Sequence, residues 1–283
     1  MISKKRKPTF VLVIPRFEDI FHSYYAGEII RGVSLSASRL NADFLIHITD
    51  RSDHRGWLDS TLMDPHYIDG ILFADIDNDL AVVKRAIRRF VPCMVLNNII
   101  DEPINYVAVD NKKAACEVIE TLLDMGHTRI ATVAGDMSTQ SGLMRLEGFR
   151  EVLLKKKISV PRNYITFGDF LRTPARNAAQ KLLNLPERPT AIFAASDVMA
   201  LEVMDVARSM GIQVPKDLSV VGFDNNPLIS SSPIELATVA QPLAEMGRLG
   251  AENLFQISRG KMRLPVKEIL PTKFMKGQSI AKI

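Results

Sequence analysis

Short runs of β-branched and aliphatic residues alternate along this chain with longer stretches whose apolar residues return every three or four positions. The first kind predicts strands at Phe10–Ile14, Phe44–Ile48, Gly70–Phe73, Cys93–Leu96 and Tyr106–Val109. The same pattern continues at Ile130–Ala134, Tyr164–Phe167, Ala191–Ala194, Leu218–Gly222 and Glu268–Leu270. The second kind predicts helices at Gly27–Leu40, Leu80–Phe90, Lys112–Met125, Gly142–Lys156, Ala175–Leu185, Val198–Met210 and Leu243–Arg259. Gly126 and Gly211 stand where helices stop, the second with Pro215 beyond it. Strand–helix–strand alternation implies an α/β protein with parallel sheets and right-handed crossovers. Ten strands are too many for one open sheet at this length, so two doubly wound parallel-sheet lobes are expected. The long stretch after Asp224 and the helix Leu243–Arg259 imply that the chain passes between lobes more than once.

In such sheets ligands bind beyond the carboxyl ends of the strands, so the residues just past each strand nominate a site. They are Thr49 and Asp50, Ala74 and Asp75, Asn97 and Asn98, Asp110, Gly135 and Asp136, Gly168 to Phe170, Ala195 to Asp197, and Phe223 and Asp224. Asp, Asn and Ser are also good helix caps, which is the expected role of Asp110 and of one of Ser196 and Asp197. Asp224 and Asn97 differ, because no helix pattern starts directly after either. The carboxylate of Asp224 is therefore expected to be free for ligand hydroxyls. Phe170, an apolar ring in a polar loop, reads either as a lid over core or as a stacking plate for a ligand.

Composition narrows the classes. The hydrophobic fraction of 47% and charged fraction of 24% are those of a globular protein, and no apolar run approaches the length of a membrane span. Cys93 and Cys116 form no CxxC pair, which favours a reducing, cytoplasmic setting. Of the net charge of +4, much sits in Lys4 to Lys7. That cluster reads as a solvated tail or as the end of a linker to a nucleic-acid-binding part. The rest is too balanced for a DNA-binding surface. No phosphate loop GxxxxGK[ST], no GxSxG elbow and no histidine pair at metal-ligand spacing occurs. His47 and His127 read as structural. The segment Gly135–Gly142 before a helix is a weak anion-site signal. No cofactor and no catalytic set is expected.

Eight segments, in order, resemble the lactose-repressor/purine-repressor family. They are GEIIRGV (27–33), IDGILF (68–73), YVAVDN (106–111), LLDMGHTRIATVAG (122–135), RLEGFREVL (145–153), PTAIFAASDVMALEVM (189–204), VPKDLSVVGFDNNPL (214–228) and TVAQPLAEMG (238–247). The resemblance implies a periplasmic-binding-protein-like fold of type I. Its N-terminal lobe is residues 8–109 plus 243–270, its C-terminal lobe residues 110–242 plus 271–283, with residues 1–7 a linker remnant. It implies a small effector held between lobes, a homodimer, and DNA contact only through a helix-turn-helix preceding this segment. Its effector positions carry over to Arg145, Asn97, Phe170, Ser196, Asp224 and Gln241. The family's first loop differs here, reading HSYYA (22–26), so His22, Ser23 and Tyr25 are placed near the site provisionally.

The function expected is effector sensing in a transcriptional regulator, the effector being a sugar or sugar derivative. A free-standing sugar-binding protein for transport or chemotaxis, and an α/β enzyme acting on a sugar, are the alternatives.

Overall fold

The computed structural model describes residues 6–15, 23–49, 56–76, 80–231 and 233–283. Lys4, Lys5, His22 and Asp50 lie outside the described residues. The chain divides into two compact units, Met1–Val109 with Pro242–Leu270, and Asp110–Gln241 with Pro271–Ile283.

The N-terminal unit is built on β1 (Thr9–Pro15), β2 (Asp43–Thr49), β3 (Gly70–Ala74), β4 (Cys93–Leu96), β5 (Tyr106–Val109) and β11 (Lys267–Leu270). Their order is β11-β5-β4-β3-β1-β2, every pair parallel, with Phe10 opposite Phe44 on one side and Gly70 on the other. After Thr9, β1 is apolar, as are β3, β4 and β5, because both sheet faces are covered. Phe10, Leu12 and Ile14 face α1 (Tyr24–Leu40) and α7 (Leu243–Ser258), while Val11 and Val13 face α2 (Leu80–Arg88) and two short 3-10 turns, Trp57–Asp59 and Thr61–Met63. α1 begins earlier than its periodicity suggests. Ser23 is its N-cap, with its hydroxyl accepting from Ala26 N–H at 3.3 Å, so Tyr24 and Tyr25 are helical rather than part of the first loop. Arg6 and Lys7 pair with Asp69 and Asp43 at the start of this sheet.

The C-terminal unit carries β6 (Ile130–Ala134), β7 (Ile165–Phe167), β8 (Ala191–Ala194) and β9 (Ser219–Val221), in the order β7-β6-β8-β9, again all parallel. α3 (Asn111–Asp124) and α4 (Gln140–Lys155) cover one face, α5 (Arg172–Leu183) and α6 (Asp197–Ser209) the other. Two three-residue strands that periodicity does not reveal, β10 (Thr238–Ala240) and β12 (Lys273–Met275), pair antiparallel beside this sheet. The final residues are tied in as well. Val220 N–H donates to Ser279 O at 2.9 Å, and His127 bridges Thr190 Oγ1 and Ala281 O, both at 3.0 Å.

Both sheets reverse direction of growth beside their first strand, between β1 and β3 and between β6 and β8. That is where a doubly wound sheet leaves a crevice at its strand ends. No helix among the described residues is long and apolar enough to cross a membrane.

Candidate functional site

In the C-terminal unit the polar residues at the strand ends gather around Arg145. α4 starts at the N-cap Thr139, whose hydroxyl accepts from Gly142 N–H at 3.0 Å, and its buried face carries Ser141, Gly142, Arg145, Leu146 and Phe149 at helical spacing. A guanidinium on that face must be paired or it costs several kcal/mol. Arg145, 3% exposed, donates from Nε to Asn111 Oδ1 (2.8 Å) and from Nη1 to Ala195 O (2.6 Å), with Asp224 Oδ1 at 3.5 Å. Its plane lies over the Phe223 ring, 3.7 Å from the centroid, with Phe170 at 5.7 Å.

Asp224 follows β9 in a left-handed backbone, φ 118°, and Asn225 follows at φ 57°. Its N–H donates to Val239 O at 2.8 Å. Contrary to the expectation from the sequence, its carboxylate is not free: Oδ1 accepts from Gln241 Nε2 at 2.7 Å and faces Arg145. The reason is β10, which brings Gln241 alongside Asp224 through the bridge at Ala240. Burial pushes the Asp224 carboxyl up, while Arg145 and the hydrogen bond from Gln241 pull it down. Behind it the buried Asp197 is also pushed up, by burial first and by the Asp224 charge second. Gln241 Oε1 is buried with no hydrogen-bond partner among the described residues. An acceptor held this way suits an incoming donor.

Phe170 and the preceding Asp169 are both left-handed, φ 61° and 52°. The ring is half-buried against the α5–α6 core and crosses the face of Gly135, where an alanine Cβ would stand 2.1 Å from the ring. Phe170 thus serves as a core lid and lies near the guanidinium at once. Ser196 is the N-cap of α6, its hydroxyl accepting from Met199 N–H at 3.3 Å, and Asp110 caps α3 by accepting from Lys113 N–H at 2.9 Å.

Asn111 was not singled out from the sequence. It lies on the buried face of α3 with Ala114, Ala115 and Val118, so a polar residue in the apolar phase of a helix was the available signal.

Asn97 belongs to the other unit. It directly follows β4 with φ 65°, is 4% exposed, and its Oδ1 has no hydrogen-bond partner among the described residues. Beside it, Asn98, in the amide orientation its surroundings favour, donates to Asp75 Oδ1 (3.3 Å) and Leu96 O (3.1 Å). Ser23 caps α1 and Tyr25 sits in its first turn, packed against that unit's core. The structure therefore brings together Arg145, Phe170, Asp224 and Gln241, keeps Ser196 close through Ala195, and leaves Asn97, Ser23 and Tyr25 in the N-terminal unit. Among the described residues no group of three or more His, Cys, Asp or Glu could hold a metal ion.

Comparison with known proteins gives four findings. The periplasmic binding protein-like domain matches residues 119–280. The HTH-type transcriptional repressor CytR of Escherichia coli (strain K12) is 34% identical over 253 residues, which is 87% of this chain and 72% of that protein. Among solved structures, the complex of the transcriptional regulator CelR with cellobiose superposes with a TM-score of 0.85 at 28% identity, covering 97% of this chain and 85% of that one. The lac repressor dimer bound to operator and the anti-inducer ONPF shares the fold, with a TM-score of 0.88 at 23% identity over 99% of this chain and 96% of that one.

Proposed function

Because the chain belongs to the lactose-repressor family of transcriptional regulators and carries its periplasmic-binding-protein-like domain, we propose that it senses a neutral carbohydrate and passes the signal to operator binding. The observation that carries this reading is the polar cluster of the C-terminal unit. One buried guanidinium is already balanced by one carboxylate, an amide oxygen waits for a donor, and an aromatic ring stands beside them. A neutral polyol supplies donors and acceptors without adding charge, and its ring C–H face suits Phe170. We infer effector contacts at Arg145, Asp224, Gln241, Phe170 and Ser196; Asn97, Ser23, Tyr25 and His22 are further candidates.

Effector binding would act by population shift. A ligand that favours one state of the domain changes DNA affinity by its differential affinity for the two states. The regulator works in the cytoplasm, with operator DNA read by a helix-turn-helix part rather than by the residues described here. It works as a homodimer. The edge strand β2 exposes Leu45 (44%), Ile46 (50%) and Ile48 (40%), and the end of α2 exposes Ile87 and, just past it, Phe90 (93%). Apolar edges of this kind are normally covered. Light scattering at high micromolar concentration is expected to give twice the 31.6 kDa chain mass, and a monomer would contradict it.

The test of the effector class is a thermal-shift panel of cellobiose, maltose, glucose, galacturonate, ribonucleosides and purine bases. Binding to the native state alone raises the melting temperature with ligand concentration, by about 2.7 kcal/mol of added stability at a hundredfold excess over Kd. At least one neutral sugar is expected to act. Shifts with nucleosides or purines and none with sugars would overturn the reading.

A further inference from the structure

The turn that carries Asp224 is costly. Two consecutive non-glycine residues, Asp224 and Asn225, hold left-handed backbones, and the surrounding structure must impose them. Asp224 N–H is tied to Val239 O at 2.8 Å, and beyond that backbone bond the turn is held by a pair of fully buried side chains from elsewhere in the unit. Thr238 Oγ1, on β10, accepts from Asn225 N–H at 3.3 Å and donates to Asp197 Oδ1 at 2.5 Å. Asp197 Oδ2 accepts from Asn226 N–H at 2.7 Å, and Asp197 N–H donates to Phe223 O at 2.7 Å. Asp197 and Thr238 are each 0% exposed.

Asp197 stands at the first position of α6, where an acidic residue is common for helix-capping reasons alone. That duty is filled here by Ser196, and the Asp197 carboxylate spends both oxygens on the 224–226 turn and β10 instead. The fit leaves no slack. A Cβ on Gly222 would stand 2.2 Å from Asp197 Oδ1, so the strand can pass the carboxylate only as glycine.

We propose that Asp197 and Thr238 are positioning residues that clasp the 224–226 turn and so aim the Asp224 carboxylate at Gln241 and Arg145. Neither touches effector in this account. They act through Asp224, and the purpose of the clasp rests on the reading of Asp224 as an effector contact. Without the clasp the turn relaxes to ordinary backbone angles and the carboxylate leaves the amide it now binds.

The reporter is the Gln241 side-chain amide, whose proton donates to Asp224 and is expected to respond to its ionisation. Its NMR resonance is recorded across pH in effector-free protein for wild type, Thr238→Val, Thr238→Ser and Asp224→Ala, each with a thermal melt. Thr238→Val is expected to lose the hydrogen-bonded shift and its pH dependence, as Asp224→Ala does. Thr238→Ser keeps the hydroxyl and is expected to retain both, even if loss of the methyl lowers its melting temperature. A Thr238→Val protein that melts lower but keeps the wild-type Gln241 signal would overturn the proposal, as would a Thr238→Ser protein that loses it. If Thr238→Val does not fold, Thr238→Ala against Thr238→Ser makes the same comparison, with the same expected and overturning results. Because no effector is added, a failed sugar panel alongside the expected Gln241 result would remove the purpose of the clasp and leave the clasp itself standing.

Discussion

Replacing Gly135 by alanine is expected to damage the protein through one contact, the ring of Phe170. Gly135 does not occupy a left-handed backbone, so alanine meets no conformational penalty there. Its Cβ would stand 2.1 Å from Cζ and 2.5 and 2.6 Å from Cε1 and Cε2 of Phe170. Ordinary contact begins at 3.4 Å, so the ring must retreat by 3.4 − 2.1 = 1.3 Å. It cannot do so freely, because Asp169 and Phe170 are held left-handed in a turn closed by Leu171 N–H to Gly168 O at 2.8 Å. Overpacking of this size costs about 1–3 kcal/mol. For a unit of this size each kcal/mol lowers the melting temperature by roughly 2–4 °C. The assay is a double-mutant cycle of Gly135→Ala with Phe170→Ala, read by thermal or urea unfolding. With the ring removed the alanine has room, so Gly135→Ala should be near neutral in the Phe170→Ala background, a coupling of about 1 kcal/mol or more. Equal damage from Gly135→Ala in both backgrounds would show that the Phe170 ring is not what the new methyl meets.

Two further outcomes are expected. Arg145→Ala leaves Asn111 Oδ1 and Ala195 O unpaired and Asp224 without its cation, so it should cost about 3–5 kcal/mol in urea unfolding as well as weakening effector binding; an unchanged midpoint would show that the guanidinium does not hold the cluster together. Burial holds His127 below its ordinary value, so the folded state favours the neutral ring. Its contribution to stability is present above the unfolded pKa of about 6.5 and lost as pH falls through the lower folded value. Melts from pH 7.5 to 5 should fall less steeply in His127→Gln than in wild type, and identical slopes would contradict this.

Much of the fold was legible because burial on both sheet faces writes a continuous apolar run. Cys93–Leu96, Tyr106–Val109, Ile130–Ala134 and Ala191–Ala194 appear as strands with the bounds their composition suggests. β10 and β12 were not legible, since three residues carry no periodicity and their antiparallel pairing depends on chain segments more than thirty residues apart. The start of α1 was hidden because two tyrosines follow the capping Ser23, and helix-forming periodicity becomes clear only beyond them. At the strand ends, residue type told where polar groups lie but not how they are spent. Asp224, Asp197 and Ser196 are all polar residues past a strand. The sequence expects a cap from one of Ser196 and Asp197, and the structure gives it to Ser196; that Asp224 faces Arg145 and Gln241, and that Asp197 bonds Asn226 and Thr238, only the structure shows. Asn111 does not stand out in the sequence because Asp110 beside it accounts for the helix start.

A neutral sugar is proposed to bind at Arg145, Asp224, Gln241 and Phe170. The most direct test of this is calorimetric titration of whichever neutral sugar gives the largest thermal shift into wild type, Asp224→Asn and Phe170→Ala. A hydrogen bond to a charged group is worth about 1.5–3 kcal/mol, so Asp224→Asn should weaken binding tenfold or more, and Phe170→Ala should weaken it as well, in proteins that remain folded. Wild-type affinity in both variants, with folding intact, would place the effector elsewhere.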